Sequence, residues 1–121
     1  MTDEAPTVDL STLDRLRELQ LEHEPSLVAE LVGEFLTRAP QRIERMRAAL
    51  EARDMAALEF ESHGLAGSCG VLGVIRMRIC CLELEELARR GALAQAPAAL
   101  DEVIRCLEDA RPILTDAAGR G

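Results

Sequence analysis

The sequence of 121 residues contains no Lys, no Trp and no Tyr, and its only aromatic side chains are Phe35 and Phe60. Without lysine there is neither a Schiff-base amine nor a phosphate-loop lysine. Without stacking platforms, and with 22 acidic against 14 basic residues for a net charge of −8, the chain is poorly suited to nucleic acid. No run of eighteen apolar residues occurs, so no membrane-spanning helix is expected. The first ten residues, MTDEAPTVDL, are acidic and lack an apolar core, which speaks against a secretory signal and makes the cytoplasm the expected compartment. The cysteines Cys69, Cys80, Cys81 and Cys106 form no C-x-x-C pair, and neither His23 nor His63 is spaced as a zinc partner for them, so no metal site and no cofactor is expected. They read as buried, reduced thiols acting as small apolar residues, with a redox role the lesser alternative.

What is present is an ordinary globular composition, 48% hydrophobic and 30% charged, of a length that suits one domain. No segment alternates with period two between turns, so no strand is supported. Five helical stretches emerge. Residues 1–8 read as a loose lead. Asp9 or Ser11 caps a short helix carrying Leu13, Leu16 and Leu19 to about Glu22, and His23-Glu24-Pro25 breaks it, His23 being a solvated loop residue. Pro25 or Ser26 opens a long second helix with Val28, Val32, Phe35, Ala39, Ile43, Met46 and Leu50 on one buried face and a kink at Pro40. Ala52-Arg53-Asp54 turns the chain, with Asp54 as the N-cap of the third helix. The fourth helix runs from about Gly73 to Arg90 and stops at Gly91. Its two apolar stripes, Ile75-Ile79-Leu82 and Met77-Cys81-Leu84, predict burial on two sides, with the first helix on the second side. Pro97 opens the fifth helix, which carries Leu100, Val103, Ile104, Leu107 and Leu114, bends at Pro112 and frays over 117–121. Met46, Met55 and Met77 read as core filler. The predicted fold is all-α: an antiparallel four-helix bundle over residues 9–116, with an additional short N-terminal helix capping one end.

The third helix is the least ordinary. Leu58, Ser62, Leu65, Cys69 and Leu72 recur at spacings of four and three and define a core stripe. At roughly 100° per residue, His63 lies about 140° or more from the middle of that stripe and faces solvent. Gly67 and Gly70 share its face, Gly64 follows it, and Ala56 and Ala66 flank the patch. Three interior glycines cost a helix about 3 kcal/mol relative to alanine. That loss suggests that a partner must bring its own backbone up to the imidazole; close helix packing or a Gly-rich loop is the plainer explanation. Glu59, Glu61, Glu83, Glu85 and Glu86 read as a solvated acidic face.

The run His63-Gly64-Leu65-Ala66-Gly67-Ser68-Cys69, followed by Leu72-Gly73 and by Cys81-Leu82-Glu83-Leu84-Glu85, resembles the histidine-containing phosphotransfer family, whose pattern is approximately His-x-Leu-Lys-Gly-Ser-Ser, then Leu-Gly, then a helix with Cys and Leu-Glu. The likeness extends more loosely over about residues 8–115. The resemblance implies a four-helix bundle that carries a phosphoryl group on one exposed imidazole and exchanges it with aspartates of receiver domains. It makes His63 the phosphoacceptor, with Gly64, Ala66, Gly67, Ser68 and Gly70 forming the phosphate environment and docking face, and with Arg89 facing the His from the adjacent helix. The departure is Ala66, where the family usually has Lys; Arg89, Arg78 or a lysine supplied by the receiver could replace it. The implied partners are a response-regulator receiver domain and a sensor or hybrid histidine kinase, the chain itself being a monomer with no kinase or hydrolase activity of its own. Two other readings stay open: a module that docks receivers without efficient transfer because of Ala66, and a helical scaffold in which His63 has no role.

Overall fold

The computed structural model describes residues 5–19 and 27–120. They form five helices, α1 (Leu10–Leu19), α2 (Leu27–Glu51), α3 (Met55–Leu72), α4 (Ile75–Arg89) and α5 (Ala96–Gly119), and no strand lies among them. Helices α2 to α5 pack in a closed ring, each against its neighbours in sequence and α5 against α2. The joints are short, so consecutive helices run antiparallel. The sequence-based break around His23, Pro25 and Ser26 lies outside the described residues.

Helix α2 buries Val28, Val32, Phe35, Ala39, Ile43, Met46 and Ala49. Six of these seven follow the predicted stripe; the last turn buries Ala49 and leaves Leu50 at the margin. Pro40 has no N–H to offer the carbonyl of Leu36, yet α2 continues through it. Pro112 is likewise carried inside α5.

Both ends of α3 are fixed by side-chain and backbone chemistry. The Asp54 carboxylate accepts the N–H of Ala57 at 3.0 Å, the predicted N-cap. Gly73 ends the helix in the left-handed region at φ 73°, and Val74 N–H bonds back to Cys69 O at 2.9 Å. Glycine is required there twice over. A Cβ would be strained at that φ, and it would lie 2.7 Å from the Thr12 Cβ. The missing side chain lets α1 close on the bundle: Asp9 N–H donates to Gly73 O at 2.8 Å, and the Asp9 carboxylate caps α1 through Ser11. At the far end of α1, Arg17 donates to Ala117 O at 2.9 Å. Helix α1 therefore does cap one end of the bundle.

The structure corrects three expectations. Helix α4 starts at Ile75, since Gly73 belongs to the cap of α3. Its Ile75-Ile79-Leu82 stripe is not covered, because α1 packs against α2 and α3 and leaves Ile79 and Leu82 partly in solvent, while Met77, Cys81 and Leu84 are buried. Among the described residues the packed structure reaches beyond 9–116: Val8 is buried, Arg76 donates to Ala5 O, and α5 runs to Gly119 with Ala117 buried.

The cysteines are free thiols. Cys80 on α4 and Cys106 on α5 lie 3.5 Å apart, sulfur to sulfur. Burial raises the Cys80 thiol, and burial with the neighbouring Cys80 pushes Cys106 from its ordinary 9.0 up to about 12. The hydrogen bond with Cys69 and burial also raise Cys81. Thiols held this way are poor nucleophiles at neutral pH and fit core packing. As the chain has no Lys and no Tyr, these thiols dominate its alkaline titration. Above pH ~9 an unfolded chain loses thiol protons that the native chain keeps, so stability falls as pH rises. The melting temperature is therefore expected to decline between pH 9 and 12, and more shallowly in Cys106→Ala, which a pH series of thermal melts reads directly.

Candidate functional site

The core stripe of α3 is as predicted: Leu58, Ser62, Leu65, Cys69 and Leu72 are all buried. The buried Ser62 hydroxyl is satisfied by donating to Leu58 O at 2.7 Å. Locking that stripe inward turns the opposite face outward, and the His63 side chain is 76% exposed. Around it the helix is bare. A Cβ built on Gly67 meets nothing within 4 Å. Gly70 lies under the side chain of Arg78, whose Nε is 3.5 Å from where a Cβ would be. Ser68 is exposed, its hydroxyl turned back toward Gly64 O at 3.4 Å. Phe60 and Val71, also exposed, lie to either side of His63 along the same helix.

Ala66 departs from the expected placement. It is 3% exposed and belongs to the core cluster, so it offers no surface to a partner. The cause is packing against the rest of the bundle. Three residues after His63 the backbone has turned by roughly 300°, so the methyl stands about 60° from the imidazole, on the flank it shares with Glu59, which meets α4 through Arg89.

Glu85, in the third turn of α4, organises the imidazole. Its side chain is only 12% exposed, and its Oε2 lies 3.2 Å from His63 Nδ1. A carboxylate only accepts, so Nδ1 carries the proton and donates it to Glu85. In neutral imidazole this leaves the lone pair on Nε2, the nitrogen free to react. The same Oε2 accepts from Arg89 Nη2 at 3.1 Å. Arg89 also donates through Nε to Glu59 at 3.2 Å and through Nη1 to Glu86. Arg89 and His63 thus share one carboxylate oxygen, that of Glu85, which the sequence had placed on a solvated face.

On the α2 side a second network was missed for the same reason. Glu61, whose side chain is also 12% exposed, accepts from Arg42 Nη1 and Arg45 Nε, both at 3.0 Å. The guanidinium of Arg42 lies over Gly64. Beside it a groove of about 250 Å³ runs between α2 and α3, its polar lining including Arg38, Arg42 and Ser68. The signal in sequence was faint. Glu85 and Arg89 stand four apart on one helix, but the pairing of Glu61 with α2 depends on tertiary approach alone. Among the described residues no three His, Cys, Asp or Glu side chains converge as metal ligands, and no helix is long and apolar enough to cross a membrane.

Comparison with known proteins agrees with this geometry. The family model for the Hpt domain matches residues 30–112, from within α2 to Pro112 in α5. The chain is 30% identical to multistep phosphorelay regulator 1 of Schizosaccharomyces pombe over 90% of its own length, and it spans 41% of that larger protein. Among solved structures, histidine-containing phosphotransfer protein B of Pseudomonas aeruginosa PAO1 superposes with a TM-score of 0.86 at 31% identity, covering 98% of this chain and 99% of that one. A rice protein described as a putative histidine-containing phosphotransfer protein shares the fold, with a TM-score of 0.82 at 22% identity over 93% of this chain and 80% of its own. With a family match that takes in the His63 helix and all or most of the other three bundle helices, the chain belongs to the Hpt domain family.

Proposed function

We propose that this chain is a phosphoryl carrier: His63 accepts a phosphoryl group from the phosphoaspartate of a response-regulator receiver domain and returns it to such an aspartate, within a relay fed by a sensor or hybrid histidine kinase. The observation that carries this reading is one imidazole, 76% exposed beside the open position at Gly67, with Nδ1 tied to a nearly buried carboxylate. In the forward step the Nε2 lone pair attacks phosphorus, the bond from phosphorus to the aspartate oxygen breaks, and the aspartate leaves as carboxylate. The proton stays on Nδ1, and the positive charge that develops on the ring is met by Glu85. The reverse step retraces this path. In-line transfer needs positioning and charge stabilisation, both of which a docked partner can share. Gly67 leaves room for that partner to approach.

Three measurements test the reading. With a phosphorylated receiver as donor, this chain is expected to take up one acid-labile label, and His63→Gln is expected to abolish it; a label that persists in the variant sinks the assignment. Binding without any label would favour the docking module over the carrier.

Glu85→Ala frees the ring and is expected to slow labelling by roughly 10–100-fold, the usual consequence of misplacing a reacting group. Glu85→Gln, which still accepts through its carbonyl oxygen, recovers much of that rate.

Gly67→Gln separates folding from docking. It replaces a helix-weakening residue at an open site, so the melting temperature should hold or rise. Labelling by the receiver should fall at least several-fold, because the new side chain stands in the approach path.

A further inference from the structure

We propose that Arg42 of α2 is the cation that meets the phosphoryl group on His63, and that Gly64 is glycine in order to let it reach there. The inference rests on the carrier reading above and asks where the transferred charge is held.

A phosphoryl group brings close to two negative charges to a chain that already carries −8. The two sides of His63 are not equivalent toward it. On the α4 side one cation, Arg89, is engaged by three carboxylates, those of Glu59, Glu85 and Glu86. The Nδ1 edge of the ring is also occupied there, by Glu85. A dianion on that side meets a net negative charge. On the α2 side the ratio is reversed. One carboxylate, Glu61, holds two cations, Arg42 and Arg45, each through a different oxygen. The excess positive charge around the ring is therefore on the α2 side.

Arg42 reaches the residue next to the reacting one. A Cβ on Gly64, the residue that follows His63, would lie 2.3 Å from Arg42 Nη1, 2.7 Å from its Cζ and 3.2 Å from its Nη2. The guanidinium thus occupies the space of the missing side chain, against the backbone of α3. The glycine weakens the helix interior but admits a charge that any other residue would push away. Glu61 engages Arg42 through Nη1, and a guanidinium has five N–H donors in a rigid fork, so one guanidinium can serve Glu61 and a second oxyanion together. Its side chain is 28% exposed, open to an incoming group but held in place. The sequence had offered Arg89 and Arg78 as replacements for the lysine absent at position 66. Arg89 is over-neutralised, and Arg78 lies over Gly70, two helical turns from His63.

The test uses the full chain with phosphoramidate as a small-molecule donor, so that no receiver residue contributes. The rate of His63 labelling, the half-life of the phosphohistidine and the dependence of both on salt are measured for wild type, Arg42→Gln, Arg42→Lys and Gly64→Ala. Arg42→Gln is expected to slow labelling tenfold or more and to flatten the salt dependence, with Arg42→Lys recovering part of the rate. Gly64→Ala is the sharper variant. It improves helix propensity and displaces only the tip of a flexible side chain, so it should melt no lower than wild type while labelling like Arg42→Gln. Labelling of wild type with equal rates and salt dependence in Arg42→Gln and Gly64→Ala overturns the role of Arg42 and leaves the carrier reading intact. Failure of wild type to label at His63 overturns both.

Discussion

The carboxylate of Glu85 stands where α3 and α4 meet, nearly out of solvent, and accepts from His63 on one helix and Arg89 on its own. The state and direction of the imidazole follow from that contact. It decides which ring nitrogen bears the proton, and so which one is left to react. It also ties the ring to the bundle, although most of the ring is in water. As an ion pair with exposed partners it adds little to stability, under about 1 kcal/mol. Its contribution is to orientation.

Orientation at Glu85 presupposes that α3 keeps its rotational phase, and the core supplies this. Leu58, Leu65 and Leu72 are almost fully buried, and each contributes roughly 1.5–3 kcal/mol by burial. Their sum exceeds the ~3 kcal/mol that three interior glycines take from the helix. The bundle can therefore carry a helix whose exposed face is poor in helix-forming residues. The capping contacts of Asp54 and Gly73 hold the two ends, and α1 secures the second of them through Asp9.

The fold was legible in the sequence because its signals are local. The spacing of Leu58, Leu65 and Leu72 fixed the inward face of α3, and with it the outward direction of His63. Asp54, Gly91 and Pro97 marked helix ends that the structure keeps. Relations between helices were not legible. The Ile75-Ile79-Leu82 stripe of α4 looked like a buried face, yet Ile79 and Leu82 are partly in solvent, because nothing in a periodic pattern says whether a neighbour exists. Glu61 and Glu85 looked like surface carboxylates, because their partners come from other helices. Ala66 looked like part of the bare patch, because it is small and only about 60° around the helix from His63, but packing against the rest of the bundle buries it. At the site, the exposed imidazole was legible in the sequence, whereas the charges around it were not.

The dependence of α3 on its neighbours bears on how the phosphorylation motif can be recognised. Cut out as a peptide, residues 55–72 would have no leucine contacts to offset their glycines, and a segment of this length is marginally helical even with better composition. Neither the ring phase nor the carboxylate beside it would survive excision. The motif is therefore not a linear epitope. Under the carrier reading, a protein that reads it recognises a surface assembled from α2, α3 and α4, so this recognition is a conformational check: misfolded or truncated chains would be silent even though they contain every residue of the signature.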